Sequence, residues 1–290
     1  MFYFRTILSI NFLLICSCVQ AHTILNSWQN FAEPYSRKSA SPAVIVYGTV
    51  DGIKCKFQID TGLDFPYRWN QRVESTSKFT NSTIEVLGIS EQLSISNITL
   101  DQVHSPNGCV AIGNIASLGN GFFESGTIEL DLKHSRMRFF KKAVLQNAKN
   151  SQPFFYARWG DDSVGGHALV EIANAGSVVG YALLDTGVPM AFSTFSNDDF
   201  KLWTDDFSDA LKERLVSSWG RTHSCTVASI KVGSPYAAAR SLYGGEVSFC
   251  PNLNFKTPIK LAGIIGLQAF DNCYLYIDFL SKRISWRDEN

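Results

Sequence analysis

The chain has 290 residues, of which 45% are hydrophobic, and it carries 26 basic and 26 acidic side chains. A chain of this length can bury a large core, either as one large domain or as two smaller ones. The charge balance gives no reason to expect an anionic membrane surface or nucleic acid as a partner, so we expect no nucleic-acid function.

The N-terminus has the order of a secretory signal peptide. It reads MFYFRTILSINFLLICSCVQAHT, with one early Arg, an apolar run at residues 7–19, and Val-Gln-Ala ending at Ala21. We predict a signal peptide at residues 1–21, cleaved after Ala21. The apolar run is short for a membrane span, and no later segment is long and apolar enough for one. We therefore expect an exported protein, secreted or periplasmic, with no stable membrane span; anchoring as a lipoprotein through Cys18 is the weaker alternative.

Five of the seven cysteines follow this segment: Cys55, Cys109, Cys225, Cys250 and Cys273. An odd number in an exported chain predicts up to two disulfides and one free thiol, while sequence alone does not give the connectivity. Our expectation is a bond between Cys55 and Cys109 and one bond among the last three. Buried free cysteines acting as small apolar residues are the alternative.

Two similar segments lie 125 residues apart in the chain. The first reads AVIVYGTVDGIKCKFQIDTGLDF (residues 43–65) and the second ALVEIANAGSVVGYALLDTGVPM (residues 168–190). Aligned without a gap, both predict a strand, a tight turn and a second strand that runs into Asp-Thr-Gly. The first turn is expected at residues 50–52. Asp60 and Asp185 therefore occupy equivalent places in two copies of one unit.

The two copies also end alike. Each carries an apolar pair followed by glycine, AIG ending at Gly113 in the first copy and IIG ending at Gly266 in the second. Each then closes with a predicted hairpin, IELDLKHSRMRFF and LYIDFLSKRISW. We interpret Arg136 and Arg283 in these hairpins as solvated turn residues.

The polar stretch at residues 149–166 contains Pro and Gly and is the expected joint between the copies. The chain accordingly divides into an N-terminal half (residues 22–150), which contains Asp60, and a C-terminal half (residues 151–290), which contains Asp185. Short alternating apolar runs between turn residues predict a mainly β protein in both halves.

One helix is predicted among these strands, in the segment SNDDFKLWTDDFSDALKERLVSSWG at residues 196–220. Ser196 and the acidic residues after it are typical of a helix start, and Gly220 of a helix end. The residues on one helical face are Phe200, Trp203, Phe207, Leu211 and Leu215. We expect this helix to pack against the C-terminal half, with a role as a substrate lid as the weaker alternative.

The two Asp-Thr-Gly motifs, with the glycines and closing hairpins in one order, resemble the aspartic proteases of the pepsin and retropepsin type across residues 43–286. The resemblance implies a mainly β, two-lobed pepsin-like acid-protease fold, with two similar β-barrel-like lobes, the active site between them, and here one helix in the second lobe. It implies that Asp60 and Asp185 are catalytic and hold the attacking water between them. One chain with both motifs needs no second copy, so we expect a monomer that acts on a protein or peptide substrate.

The resemblance also implies how the motifs support the two aspartates. Thr61 and Thr186 would lock the two loops together through buried hydroxyl groups. Gly62 and Gly187 lack side chains, which lets a backbone amide approach each carboxylate. The glycines that end AIG and IIG would pack against the catalytic loops from the same lobe.

The sequence departs from the pepsin pattern after each motif. Pepsin-like enzymes commonly have Ser or Thr there, whose hydroxyl donates to the carboxylate, but here the residues are Leu63 and Val188. Without that donor the ionised form is less stabilised, so we expect activity at mildly acidic or neutral pH. The segment DTGLDF favours the retropepsin-like side of the family. Candidates for the flap over the substrate are residues 75–82 and 232–236.

Other functions have less support. A catalytically inactive two-lobed relative that acts as a protein- or peptide-binding or inhibitor module is the main alternative, although both aspartates and both motif glycines are intact. The five histidines are scattered, and HSC at residues 223–225 lacks the spacing of a zinc site. No phosphate loop or Gly-x-Ser-x-Gly motif is present. We expect no metal and no cofactor.

Overall fold

The computed structural model describes the residues in the following ranges: 26–27, 44–70, 78–105, 108–111, 114–158, 165–174, 177–188, 190–204, 211–218, 221–230, 236–237, 240–241, 245–251, 257–270 and 273–288. Strands dominate these residues, and the fold is mainly β, as the alternating sequence pattern predicts. No helix in this part of the chain is long and apolar enough to cross a membrane.

The strands, numbered in chain order, are β1 (Asn26–Ser27), β2 (Val44–Val50), β3 (Ile53–Ile59), β4 (Tyr67–Trp69), β5 (Phe79–Val86), β6 (Ile89–Ser96), β7 (Asn114–Leu118), β8 (Thr127–Asp131), β9 (Arg136–Phe140), β10 (Gln152–Pro153), β11 (Phe155–Ala157), β12 (His167–Asn174), β13 (Ser177–Leu184), β14 (Phe192–Thr194), β15 (Lys212–Ser218), β16 (Arg221–Ile230), β17 (Tyr236–Ala237), β18 (Arg240–Ser241), β19 (Gly245–Phe249), β20 (Leu261–Ile265), β21 (Cys273–Asp278) and β22 (Arg283–Asp288). The helices are α1 (Asn97–Val103), α2 (Asn120–Phe123) and α3 (Asn197–Thr204), with 3-10 turns at Gly108–Ala111 and Leu267–Phe270.

A six-stranded sheet in the N-terminal half carries Asp60, in the order β4-β7-β3-β2-β5-β6. Its β2–β3 hairpin turns at Asp51 and Gly52, which have φ angles of 49° and 81°. The turn lies where the sequence predicts it, because Asp and Gly tolerate the left-handed region. On β3, Cys55, Phe57 and Ile59 are buried and alternate with more exposed polar residues, so every second side chain enters the core.

A second sheet, in the C-terminal half, carries Asp185. Its strands follow the order β15-β16-β19-β14-β20-β13-β12-β17-β18, with β11 added beside β12. The predicted pair of strands before Asp185 is present as the antiparallel β12–β13 pair. In both sheets the strand that ends at the motif also has a parallel partner, β7 for β3 and β20 for β13. The two sheets therefore offer similar settings to the two motifs.

The third sheet combines strands from both halves, in the order β1-β9-β8-β21-β22-β10. It contains both predicted closing hairpins, β8–β9 and β21–β22, whose turns use Ser135 and Lys282 at positive φ. Arg136 is exposed, as expected. Arg283 differs from our interpretation: its Nε donates to Ser151 Oγ at 2.6 Å and its Nη2 to the Ser151 carbonyl. Arg283 thus ties the last hairpin to the joint.

The predicted helix at residues 196–220 is shorter than expected. Ser196 caps α3 as predicted, since its Oγ accepts a hydrogen bond from Asp199 N at 3.0 Å, and Phe200 is buried. The distal part of the segment is instead strand β15, which pairs with β16. Leu215 is 72% exposed, because β15 lies at the sheet edge and this side chain faces away from the core. Phe207, predicted on the same helical face, lies outside the described residues.

Both expected disulfides are present. Cys55 is bonded to Cys109, and Cys225 to Cys250, while Cys273 is the buried cysteine outside these bonds. The first bond fastens β3, the strand that leads to Asp60, to the turn after α1. Disulfides form and persist in oxidising compartments outside the cytosol, which agrees with the expectation of export.

Candidate active site

Each candidate aspartate follows directly on its strand. Asp60 N donates to Leu118 O at 2.9 Å, and Asp185 N donates to Ile265 O at the same distance. These bonds continue the parallel pairs β3–β7 and β13–β20 by one residue. The backbone of each aspartate is therefore fixed by the sheet, although its side chain lies on the loop beyond the strand.

The two Asp-Thr-Gly loops are cross-linked through their threonines. Thr61 N donates to Thr186 Oγ1 at 3.1 Å, and Thr186 N donates to Thr61 Oγ1 at 2.9 Å. Each hydroxyl also donates across the site, Thr61 to Leu184 O at 3.0 Å and Thr186 to Ile59 O at 2.9 Å. Both threonines are 1% exposed. Because a buried polar group without a partner costs about 1–3 kcal/mol, these four bonds hold the loops in one relative position.

The two carboxyl groups meet directly above this cross-link. The two side chains lie close enough for each to influence the ionisation of the other. Within each loop, Gly62 N donates to Asp60 Oδ1 at 3.2 Å and Gly187 N to Asp185 Oδ1 at 2.7 Å. The site therefore has the form of a carboxyl pair held by backbone amides.

The motif glycines are required by this close approach. A Cβ atom on Gly62 would overlap the Asp185 carboxyl group, and one on Gly187 would lie 3.0 Å from both Asp60 Oδ1 and Asp185 Oδ1. A side chain at either position would push the carboxyl groups apart. Glycine is thus needed here for space, since neither residue has a positive φ angle.

The pKa values of both aspartates are raised. Burial of the carboxyl group raises the pKa of Asp185 well above its ordinary value, and the neighbouring Asp60 charge raises it further. Burial also raises the pKa of Asp60, although the Asp185 carboxyl group and the Gly62 amide oppose this shift. Two carboxyl groups in contact do not ionise together readily, so the pair retains one proton over a wide pH range and titrates as a unit.

Leu63 and Val188 close the two loops without supplying hydroxyl groups. Leu63 N donates to Asp60 O at 3.1 Å, and Val188 N donates to Asp185 O at 3.2 Å, which makes a tight turn after each aspartate. Leu63 is buried. Within the described residues, the hydrogen bonds found on the two carboxyl groups come from backbone amides.

A glycine packs against each loop from the same half. Gly266 N donates to Ala191 O at 3.2 Å, and a Cβ atom there would overlap the Val188 carbonyl. In the N-terminal half the corresponding residue is Gly119, whose N donates to Pro66 O at 3.0 Å and whose added Cβ atom would overlap the Leu63 carbonyl.

The sequence alignment placed this N-terminal glycine at Gly113, which lies outside the described residues. The hydrogen bonds instead make Gly119 the equivalent of Gly266, because each follows the strand that runs parallel to the strand of its aspartate. The AIG tripeptide is similar to IIG in residue type. The glycine after Leu118, in contrast, has the same position relative to its parallel strand pair as the glycine of IIG has. Strand pairing, which sequence alone does not show, decides between the two.

Two further residues near the site carried no signal in the sequence. Asn120 is fully buried, and its Nδ2 donates to Thr61 O and to Gly166 O, both at 2.8 Å. His167 is 5% exposed, with its Nε2 atom 3.6 Å from Asp64 Oδ2. Each connects the Asp60 loop to the C-terminal half.

Each flap candidate is described only in part. Of residues 75–82, the last four belong to strand β5, and of residues 232–236 only Tyr236 is described, in strand β17. Among the described residues, no group of three or more His, Cys, Asp or Glu side chains is arranged to hold a metal ion.

Comparison with known proteins adds little to this geometry. No family model and no curated protein matches the chain. Among solved structures it is similar to the crystal structure of edgp, with 10% identity over 92% of this chain and 94% of that chain, and a TM-score of 0.45. This likeness is too weak to indicate an activity.

Proposed function

We propose that the protein is an exported aspartic-type endopeptidase in which Asp60 and Asp185 act together on a water molecule. One observation carries the proposal: a reciprocal threonine cross-link holds the two Asp-Thr-Gly loops so that both carboxyl groups lie beside Gly187. We further propose a two-lobed, pepsin-like arrangement, with residues 22–150 and 151–290 as the lobes. The separate sheets that carry the two aspartates support it.

The chemistry follows from a carboxyl pair that shares one proton. The ionised carboxylate accepts a proton from water as the water oxygen attacks the peptide carbonyl carbon. The protonated partner donates a hydrogen bond to the carbonyl oxygen, which gains negative charge. When the tetrahedral intermediate collapses, the C–N bond breaks and the departing nitrogen takes a proton from the pair. Because the loops are held in advance by Thr61 and Thr186, little reorganisation is needed during the reaction.

The expected surroundings of this reaction follow from the rest of the chain. The two disulfides and the N-terminal segment support export. Both aspartates lie in one chain, which supports a monomer that acts on a protein or peptide substrate without a cofactor. The pepsin and retropepsin type remains the family that the motifs resemble, with DTGLDF favouring the retropepsin-like side.

A cleavage assay tests the proposal. The purified protein and its Asp60→Asn and Asp185→Asn variants are incubated with a mixed peptide library from pH 3 to pH 8, with and without pepstatin. Asp51→Asn is the matched control, because Asn tolerates the same positive φ angle and keeps an oxygen for Thr83 N. We expect cleavage by the wild type and the control alone. No cleavage by the wild type at any pH would favour the inactive binding module, and equal cleavage by all four proteins would assign the activity to other residues.

A further inference from the structure

The segment that begins strand β12 lies directly against the loop that carries Asp60. Gly165 has a φ angle of +106°, and an added Cβ atom would overlap the Asp64 carbonyl. Gly166 O accepts a hydrogen bond from Asn120 Nδ2 at 2.8 Å, and His167 Nε2 lies 3.6 Å from Asp64 Oδ2. Three consecutive residues of the C-terminal half thus contact either the Asp60 loop or Asn120, which is hydrogen-bonded to that loop.

This junction bears on both aspartates. His167 is the first residue of β12, which pairs with β13, the strand that ends at Asp185. Asp64, which faces its imidazole, lies two residues after Gly62, whose amide donates to Asp60. The ring therefore connects the strand pair that carries Asp185 with the loop that carries Asp60.

The surroundings of the imidazole disfavour a positive charge. The ring is almost fully buried, whereas Asp64, the acid that faces it, keeps 24% of its side chain exposed, so water screens its charge. Asp60 lies on the same loop. Tyr156 lies on β11 and Arg158 just after it; both are bonded to Glu124, at 2.6 Å and 3.1 Å, which offsets the Arg158 charge. Burial accordingly lowers the pKa of His167, although Asp64 and the Gly62 backbone oppose the shift.

We propose that neutral His167 is a positioning residue for the Asp60 loop, and that a proton on its imidazole loosens the junction between this loop and the C-terminal half. His167 touches no reacting atom and acts through Asp64, which lies on the loop that carries Asp60. The kinetic consequence rests on the proposed peptidase activity, but the consequence for stability does not.

The stability test compares thermal unfolding at pH 7.5 and pH 5. Since the folded pKa of His167 is lowered, the unfolded chain binds the proton more readily, and stability is lost as pH falls through the ordinary histidine range. His167→Gln keeps a neutral polar side chain that does not titrate. We expect the melting temperature of the wild type to fall by about 2 °C more than that of His167→Gln between these pH values. His134→Gln is the control, because it removes a more exposed histidine that also contacts an aspartate, Asp131. The melting temperature of this control should fall as much as that of the wild type.

The kinetic test uses the ratio of kcat/KM at pH 5 to kcat/KM at pH 7 on one cleaved peptide. We expect this ratio to be higher in His167→Gln than in the wild type and the His134→Gln control, because one source of acid inactivation is removed. A role in packing alone would change the absolute rates and leave the ratio unaltered, which would overturn the proposal.

The outcomes separate this inference from the proposed function. Equal losses of melting temperature in the wild type and His167→Gln would overturn the inference even if peptides are cleaved. A larger loss in the wild type, without cleavage of any peptide, would support the junction and contradict the peptidase. If His167→Gln does not fold, an NMR titration of the His167 ring in the wild type decides, and a pKa at or above about 6.5 would overturn the inference.

Discussion

At the scale of single residues, the site has two parts. Two carboxyl groups resist being ionised at the same time, and two threonines fix the distance between them. The raised pKa values of Asp60 and Asp185 have a common first cause, burial of the carboxyl groups. A pair of this kind holds one proton at higher pH than a free aspartate does. For the proposed peptidase, this favours an active range above strongly acidic pH, in line with the absence of a hydroxyl group at Leu63 and Val188.

Introducing a hydroxyl donor should move the pH range of the proposed activity downward. In Val188→Thr, a hydroxyl near Asp185 would stabilise the ionised form of the pair, and we expect the acid limb of the kcat/KM profile to shift down by about one pH unit. Val188→Ala is the control, since it also replaces the valine but brings no hydroxyl. Identical profiles for the two variants would show that the missing donor does not set the pH range.

Removing one threonine hydroxyl should loosen both loops. Thr186→Val leaves Thr61 N and Ile59 O without their partner, so we expect a loss of about 1–3 kcal/mol in urea unfolding and a fall in kcat of about tenfold or more. Thr186→Ser keeps the hydroxyl and should retain most of the stability and most of kcat. If Thr186→Val keeps as much stability and activity as Thr186→Ser, the hydroxyl bonds do not hold the loops.

The sequence and the structure agree best where a local pattern decides. The repeated Asp-Thr-Gly motifs and the β2–β3 turn could be located from residues alone, because Asp and Gly in a tight turn and alternating apolar residues are local signals. The glycine that supports the Asp60 loop could not be located from the sequence. Strand pairing identifies the glycine after Leu118 in place of the one in AIG, and strand pairing cannot be read from residues alone. Asn120 and His167 were missed for the same reason, because their partners are distant in the chain.

At the scale of elements, segment 196–220 shows how tertiary context overrides a helical pattern. Phe200, Leu211 and Leu215 have helical spacing, but the structure has helix α3 only at Asn197–Thr204 and strand β15 at Lys212–Ser218. The β15–β16 pairing satisfies the backbone of the second part, and it leaves Leu211 and Leu215 exposed. Leucine fits either state, so spacing alone did not separate them.

Two substitutions distinguish the observed strand from the predicted helix. We expect Phe200→Ala to cost about 3–5 kcal/mol, because its ring is buried in the core. Leu215→Lys should change the free energy of unfolding by less than about 0.5 kcal/mol, because the side chain is exposed. Chemical denaturation measures both. A large loss in Leu215→Lys would mean that this leucine packs in the core, as the helix requires.

At the scale of the whole molecule, the two halves meet along the third sheet and at the candidate site. The sheet order, in which β8 pairs with β21, joins the closing hairpins of both halves into one layer. Asp278 serves this layer as a structural acid: although its burial opposes the shift, hydrogen bonds from the Leu145 and Ser281 amides lower the pKa of Asp278. The molecule thus contains acids whose pKa values are shifted in opposite directions.

These opposite shifts predict opposite effects on stability. The pKa of Asp185 is raised, so its contribution is present at low pH and is lost as pH rises through the folded value. Asp185→Asn should therefore melt at a higher temperature than the wild type at pH 8, with a smaller difference at pH 4. Asp278→Asn should be destabilised at pH 8, with a smaller deficit at pH 3. Differences that do not vary with pH would show that neither carboxyl group is coupled to folding in this way.

The central claim is that Asp60 and Asp185 form one catalytic unit, and a double-mutant comparison tests it most directly. The measurement is kcat/KM on a single cleaved peptide for Asp60→Asn, Asp185→Asn and the double variant, beside the wild type. If the pair acts as a unit, each single variant loses about 10³-fold or more and the double variant loses no more than the worse single one. Losses that multiply in the double variant, or one single variant that keeps near wild-type activity, would contradict the account.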